Sequence, residues 1–372
     1  MMKKTENKES FEEILPPIEE LKLDNISSDA TIIAPAGFED RCLSFLDKLI
    51  ISNKKVANVI GVEYEPFSLK NRKKEFESKA EKVSLNKVEW ITYDRFNPEN
   101  FYGDFEKAKG LINETADVII DVSGMSKYLI VILLDILKDF DKNIIIIYSE
   151  AEIYHPTKEE FKSKKSKKRG SPEVIPTFLT KGIYRITLTT SLSSIAMQNA
   201  PLLLIAFPSF NYKELTALLN EITPQYLIEI EGRPHEQHNY WRRDAIREIN
   251  ERIPEDFIFT KIDKIEHREL TTFNYIETVS VLDEIYKKFR YTHKCIIAPT
   301  GSKLQSIGVF FFKQLHLEVQ IVYPAAEKFT KGYTEGCRYI WMIKFPNFCS
   351  YIKSLENYSR ANLISLKDLV TV

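Results

Sequence analysis

The chain has 372 residues, of which 44% are hydrophobic and 28% charged, and its formal net charge is -1 at pH 7. This composition is typical of a globular protein with room for two domains, and the small net charge argues against a basic surface built for duplex DNA. The four cysteines lack paired spacing, so neither a disulfide framework nor a zinc ribbon is predicted. No run approaches the roughly 20 apolar residues of a membrane span or forms a signal peptide, so we expect a cytoplasmic protein.

The first half of the chain alternates apolar runs with helical segments. Strands are predicted at 31–35, 56–63, 87–93, 117–122 and 144–148, with a further strand near Gly182. Helices are predicted at 39–50, through Ala80 and after Lys127. The fourth strand is nearly all apolar, as expected of a central strand covered on both faces. This alternation indicates a doubly wound parallel sheet of the α/β class.

The second half repeats this plan between residues 201 and 348. Three pairs of segments match in the same order: IGVEYEP (60–66) with IEIEGRP (228–234), DVSGMSK (121–127) with APTGSK (298–303), and IIIIYSEAEIY (144–154) with VQIVYPAAEKF (319–329). Three ordered matches indicate an internal duplication. We therefore predict two tandem Rossmann-like units, at 31–190 and 201–348, with an N-terminal extension at 1–30 and a C-terminal tail at 349–372.

The two copies differ most at residues 156–177, where the first unit carries a basic insertion. Residues 162–172 are rich in Lys and Ser and almost lack aliphatic side chains, so we predict a mobile surface loop. Contact with nucleic acid or with an acidic partner is the alternative interpretation. In the second copy, the third strand is predicted at FIFTKID, residues 257–263.

The ligand site of an open parallel sheet lies beyond the carboxyl ends of its strands, where the strand order reverses. The loops after the first and fourth strands meet there, and they contribute Gly37, Glu39, Arg41, Ser123, Gly124, Ser126 and Lys127 in the first unit and Thr300, Gly301, Ser302 and Lys303 in the second. A Ser/Thr-Gly turn that runs into Ser-Lys at a helix start offers N–H groups, a hydroxyl and an ammonium, which suit a phosphate. Neither turn has the first glycine of a Walker A loop. Helix capping alone is the alternative.

Other polar residues give weaker indications. Glu63 and Glu231 end the second strands, where dinucleotide and methyl-donor enzymes place a ribose-binding acid, although neither copy has G-x-G-x-x-G after its first strand. No cofactor is predicted. His235 and His238 lack an obvious third ligand, so no metal site is predicted.

Paired Rossmann-like units, each with a Ser/Thr-Gly turn and a following Ser-Lys after its fourth strand, resemble the CRISPR-associated Rossmann fold (CARF) domains and the related SAVED-type sensors of bacterial anti-phage systems. The resemblance implies a phosphorylated ligand, a cyclic or linear oligonucleotide second messenger, held across the two-fold axis by both turns. Such sensors usually carry an attached nuclease or other effector, and none is recognisable in the chain. The resemblance therefore implies either an effector protein as partner or an activity of the sensor module itself, such as cleaving its ligand.

Two alternative functions stay open. A nucleotide-processing hydrolase or a methyl-donor-type transferase would use the strand-end acids Glu63, Asp94 and Asp121. An interaction scaffold would use the two turns only as helix caps.

Overall fold

Two parallel β-sheets, one in each half of the chain, organise the protein. The computed structural model describes residues 10–68, 70–166, 180–251, 261–329 and 332–358. The strands are β1 Glu19–Glu20, β2 Ala30–Pro35, β3 Asn58–Glu65, β4 Glu89–Asp94, β5 Asp117–Asp121, β6 Asn143–Glu150, β7 Ile153–Tyr154, β8 Thr180–Thr187, β9 Leu202–Ala206, β10 Tyr226–Arg233, β11 Lys264–Thr271, β12 Lys294–Ala298, β13 Gln320–Ile321, β14 Tyr323–Phe329, β15 Thr334–Glu335 and β16 Tyr339–Phe345. The helices are α1 Phe11–Ile14, α2 Ser44–Ile51, α3 Lys73–Val83, α4 Asn100–Phe105, α5 Lys109–Asn113, α6 Lys127–Leu137, α7 Lys158–Ser166, α8 Tyr212–Ile222, α9 Trp241–Asn250, α10 Tyr275–Phe289 and α11 Lys303–Leu315.

The parallel parts of the two sheets have the same strand order. The first runs β6-β5-β2-β3-β4 and the second runs β13-β12-β9-β10-β11, with every neighbouring pair parallel. Within each unit, this is the order fifth, fourth, first, second, third. The predicted tandem pair of doubly wound Rossmann-like units is therefore confirmed, and both Ser/Thr-Gly turns follow a fourth strand.

The last strand of each unit pairs with the other unit. β16 lies antiparallel to β6 and extends the first sheet, with Trp341 opposite Tyr148. β8 lies antiparallel to β14, with Thr187 opposite Tyr323. The strand predicted near Gly182 is thus present, but it pairs with the second unit and does not join the sheet of its own unit. The two units exchange strands reciprocally.

Helices α6 and α11 pack against each other between the two sheets. α6 is buried on nearly all sides because the run YLIVILLDIL is apolar throughout except for one aspartate. A single core cluster includes Ile130 of α6, Phe311 of α11 and Ile205 of β9, so the apolar interior continues from one unit into the other. Because each helix follows a fourth strand, this packing brings the two turns close together.

The observed elements differ from the predicted ones in the second unit. Its third strand is β11, whereas most of the predicted FIFTKID strand lies outside the described residues. Helix α10 was not predicted. Asn274 caps it by accepting hydrogen bonds from the N–H groups of Ile276 and Glu277.

The basic insertion begins as a helix where a loop was predicted. Helix α7 covers its first part, and residues 167–179 lie outside the described part of the chain. Phe161 of α7 is 8% exposed and packs against Phe210 and Trp241 of the second unit. The loop predicted at 162–172 is therefore wrong at 162–166, which belong to α7, and the rest of that loop lies outside the described residues. None of the helices in the described ranges is long and apolar enough to cross a bilayer.

Candidate functional site

A cavity of about 260 Å³ lies at the carboxyl edge of the second sheet, between the two units. The loops after β9, β10 and β12 form most of its wall, and the first unit contributes residues from the start of α6 and the end of β6. Its polar lining includes Lys127, Glu150, Asn211, His235, Gly301 and Ser302. The cavity lies where ligands of open parallel sheets bind.

The turn from Thr300 to Ser302 begins α11 at this cavity. Ser302 and Gln305 form a capping box: the Ser302 hydroxyl accepts from the Gln305 N–H at 3.0 Å, and the Gln305 side chain accepts from the Ser302 N–H at 2.8 Å. The Thr300 hydroxyl donates to the Phe207 carbonyl at 2.7 Å. Both hydroxyls thus have structural roles, whereas the Gly301 N–H makes no hydrogen bond within the described residues. That N–H and the helix N-terminus are what the turn can offer an anion.

Lys127 reaches this cavity from the first unit. Although it begins α6, it lines the cavity of the second unit, and its ammonium has no hydrogen bond or ion pair to any described residue. Glu214 lines the same cavity. Burial raises the pKa of Glu214, and the charge of Lys127 opposes that rise. Lys127 therefore places a positive charge at the cavity without being fixed by a salt bridge.

Asn211 is a buried residue of the cavity wall, and its amide lies near the Glu214 carboxyl. Its side chain lines the cavity at 5% exposure, and neither its amide nitrogen nor its amide oxygen makes a hydrogen bond of standard geometry in the described chain. It precedes α8 but does not cap that helix with its side chain. An unsatisfied buried polar group costs about 1–3 kcal/mol. A ligand in the cavity would remove that cost.

In the first unit, side chains of the protein itself occupy the position that is equivalent to the cavity. Arg41 and Glu39 form a buried ion pair at 3.1 Å. Arg41 also donates to the Tyr148 hydroxyl and the Ser149 carbonyl, each at 3.4 Å, and Thr334 donates to Glu39 at 3.1 Å. Burial alone would raise the pKa of Glu39, but the nearby cations hold it below its ordinary value. The predicted ligand residues Glu39 and Arg41 therefore bind each other.

Lys303 crosses the interface in the opposite direction to Lys127. Its ammonium donates to the Met125 carbonyl of the first turn at 2.5 Å. Burial, together with the positive charge of Arg41, lowers the pKa of Lys303 to about 7, and Glu39 acts in the other direction. The structure thus places Lys303 in the first unit and not at the cavity beside its own turn.

The turn of the first unit is tightly packed. Ser123 donates its N–H to the Asp121 carboxylate at 2.9 Å, and its hydroxyl donates to the same oxygen. The Tyr64 hydroxyl accepts from the Ser126 N–H at 2.7 Å. Burial raises the pKa of Asp121 to about 6, and its second carboxylate oxygen has no partner among the described residues. Gly37 and Gly124, two of the predicted ligand residues, lie beside each other in this unit.

The other strand-end acids form local pairs. Glu63 pairs with Lys73 at 2.6 Å, Glu231 pairs with Arg247, and Asp94 accepts from the turn that follows it. None of the three is among the residues that line the cavity. The structure does not bring these acids together with the turns.

Sequence reasoning missed a cluster beside the cavity. The Nε2 atom of His235 lies 3.4 Å from a carboxylate oxygen of Glu150 and 3.6 Å from one of Glu236. His235 had no third ligand by spacing, because Glu150 belongs to the other unit. Asn211 was also missed, since an asparagine in the loop after a first strand carries no distinctive pattern.

No protein-family model matches the chain, and no curated protein matches it.

Proposed function

We propose that the protein binds a phosphorylated small molecule of nucleotide type in the cavity between its two units. The observation that carries this proposal is Asn211, a buried residue of the cavity wall whose amide makes no hydrogen bond of standard geometry in the described chain, with the Glu214 carboxyl as its polar neighbour. Lys127 and the N-terminus of α11 lie at the same cavity. A hydrogen-bonding group and an anion site in one apolar cavity suit a nucleotide.

The phosphate end of the ligand would bind at the start of α11. The helix has 13 residues, and its dipole and the Gly301 N–H favour a negative charge there. Lys127 supplies a formal positive charge from the opposite unit, and Arg242 of the second unit also lines the cavity. A charge-assisted hydrogen bond of this kind contributes about 1.5–3 kcal/mol. Binding would thus depend on both units.

The apolar wall of the cavity suits the rest of such a ligand. Phe207, Phe210 and Phe273 line it together with Tyr148 and Tyr154. Aromatic faces stack on nucleobases, and an amide such as that of Asn211 can pair with a base or a sugar. The volume lies just under the range of about 300–1,000 Å³ that is usual for small-molecule sites. A single nucleotide therefore fits this proposal better than a cyclic oligonucleotide does.

Among the described residues, the turn of the second unit opens onto the cavity, whereas the turn of the first unit is packed against its neighbours. A ligand held symmetrically by both turns would need the first turn to be accessible, and Arg41, Glu39 and Lys303 fill that region. We therefore propose one ligand per chain. The sensor role in anti-phage defence and the effector partner stay predictions from the resemblance.

The proposal is tested by identifying what the protein binds. Mass spectrometry of small molecules released from purified protein is the first step, followed by calorimetry with the released compound or with a panel of mono- and dinucleotides. We expect one molecule bound per chain, with an affinity that falls in Lys127→Ala and Asn211→Leu. Equal affinity in the wild type and both variants, or the absence of binding by any phosphorylated compound, would contradict the proposal.

A further inference from the structure

We propose that Glu150, His235 and Glu236 form a binding site for a divalent transition-metal ion at the cavity. Each residue offers one ligand atom, and these atoms all lie within 4.8 Å of one another. Glu150 is the last residue of β6 in the first unit, whereas His235 and Glu236 follow β10 in the second. The site is thus built across the interface and is absent from either unit alone.

Charge balance at Glu150 favours a cation. Glu150 is only 4% exposed, and no lysine or arginine of the described chain forms an ion pair with it. Its carboxylate accepts one hydrogen bond, from the Trp341 indole N–H at 2.8 Å. The other oxygen faces the His235 ring at 3.4 Å. A buried carboxylate without a cation is unfavourable, and a metal ion would supply the missing charge.

Neighbouring aromatic residues hold the cluster in place. The His235 ring packs on Phe273 with centroids 4.3 Å apart, and Phe273 packs edge-on against Trp341 at 5.0 Å. Trp341 in turn holds Glu150. Metal sites commonly have such an outer layer, which orients the ligands before the ion binds. The arrangement is therefore supported from outside the cluster.

The donor set indicates the class of ion. One imidazole with two carboxylates suits Mn²⁺, Fe²⁺ or Zn²⁺, whereas Mg²⁺ and Ca²⁺ prefer oxygen donors alone. Three protein ligands leave coordination positions for water or for an oxygen of a bound molecule. All three residues line the cavity. The inference is independent of the proposed nucleotide, because it uses neither Lys127 nor Asn211.

Metal titration of the full chain, stripped with a chelator that is then removed, tests the site. We would follow Mn²⁺ by electron paramagnetic resonance, in which bound ion loses the sharp signal of free ion, and Zn²⁺ by calorimetry. We expect one ion per chain and an affinity at least about tenfold lower in Glu236→Gln and in His235→Ala. Glu236 is partly exposed, so Glu236→Gln should leave the fold intact, which circular dichroism and thermal unfolding would check.

His267 provides a matched control. Its ring lies 3.4 Å from Glu229 and 3.5 Å from Glu231, a similar environment away from the cavity. His267→Ala should bind the ion as the wild type does. The proposal fails if neither ion binds, if both cluster variants bind like the wild type, or if His267→Ala alone loses the ion.

Discussion

Lys127 and Lys303 occupy equivalent positions after the fourth strands of the two units, and each side chain reaches the other unit. Lys303 donates to the Met125 carbonyl in a packed turn, whereas Lys127 lines an accessible cavity. The duplication therefore conserves the direction of both side chains but not their surroundings. This difference leads to opposite expectations for the two lysines.

Lys127→Ala should weaken binding of the phosphorylated ligand by about 1.5–3 kcal/mol, because it removes a charge-assisted contact. The melting temperature should hardly change, since the ammonium makes no hydrogen bond or ion pair with the described residues that the mutation would break. Isothermal titration calorimetry measures the effect. Lys213→Ala is a suitable control because Lys213 lies on α8 but does not line the cavity. A similar loss in both variants would indicate a non-specific charge effect.

Lys303→Met should change how stability depends on pH. The pKa of Lys303 falls from its ordinary value of 10.5 to about 7 in the folded state, so the unfolded chain binds more protons between these pH values. The free energy of unfolding of the wild type therefore gains a contribution that grows with pH across this interval, on the order of a few kcal/mol in total. The methionine variant lacks it. Urea unfolding at several pH values should show that the free energy of unfolding of the wild type increases relative to that of the variant as pH rises. A constant difference between the two proteins would mean that Lys303 titrates normally.

Arg41→Met should destabilise the fold by about 3–5 kcal/mol, because it leaves Glu39 buried without its ion-pair partner. The double variant Glu39→Gln with Arg41→Met should recover much of this loss, since no uncompensated charge stays buried. Chemical denaturation of the four proteins of this double-mutant cycle gives the coupling energy. Additive effects of the two substitutions would show that the pair does not act as a unit.

Phe161→Ala should release helix α7 from the second unit. The ring is buried against Phe210 and Trp241, and the aromatic contacts there contribute about 0.5–1.5 kcal/mol each. Faster hydrogen exchange in the peptides that cover α7 would report the release, with little change elsewhere. Lys162→Ala, an exposed neighbour on the same helix, serves as the control. Unchanged exchange in Phe161→Ala would mean that other contacts hold the helix.

The positions of most strands and the duplication could be predicted because both depend on local patterns. Apolar runs such as 117–122 mark central strands, and three matched segments fix their equivalence between copies. Helix α10 was missed, although Asn274 and the segment after it carry an N-cap and helical spacing. The pairing of β8 with β14 and of β16 with β6 could not be predicted, since pairing between distant strands leaves no local pattern.

The candidate site was predictable only in its position. The rule for open parallel sheets placed it beyond the fourth strands, and the cavity lies there. The ion pair between Arg41 and Glu39 in the first unit could not be predicted, because the sequence around Arg41 fits a charged first turn of a helix as well as a ligand contact. Glu150 and His235 meet only because two units pack together, so no spacing rule could connect them.

Strand β8 of the first unit pairs with β14 of the second, and β16 of the second unit pairs with β6 of the first. This is the arrangement of a domain-swapped homodimer whose two subunits are joined into one polypeptide. In a homodimer, every substitution occurs twice, and a change that closes one cleft closes both. Joining the copies removes that constraint. One cleft could then acquire an internal ion pair that consolidates the fold, while the other kept an accessible surface for recognition.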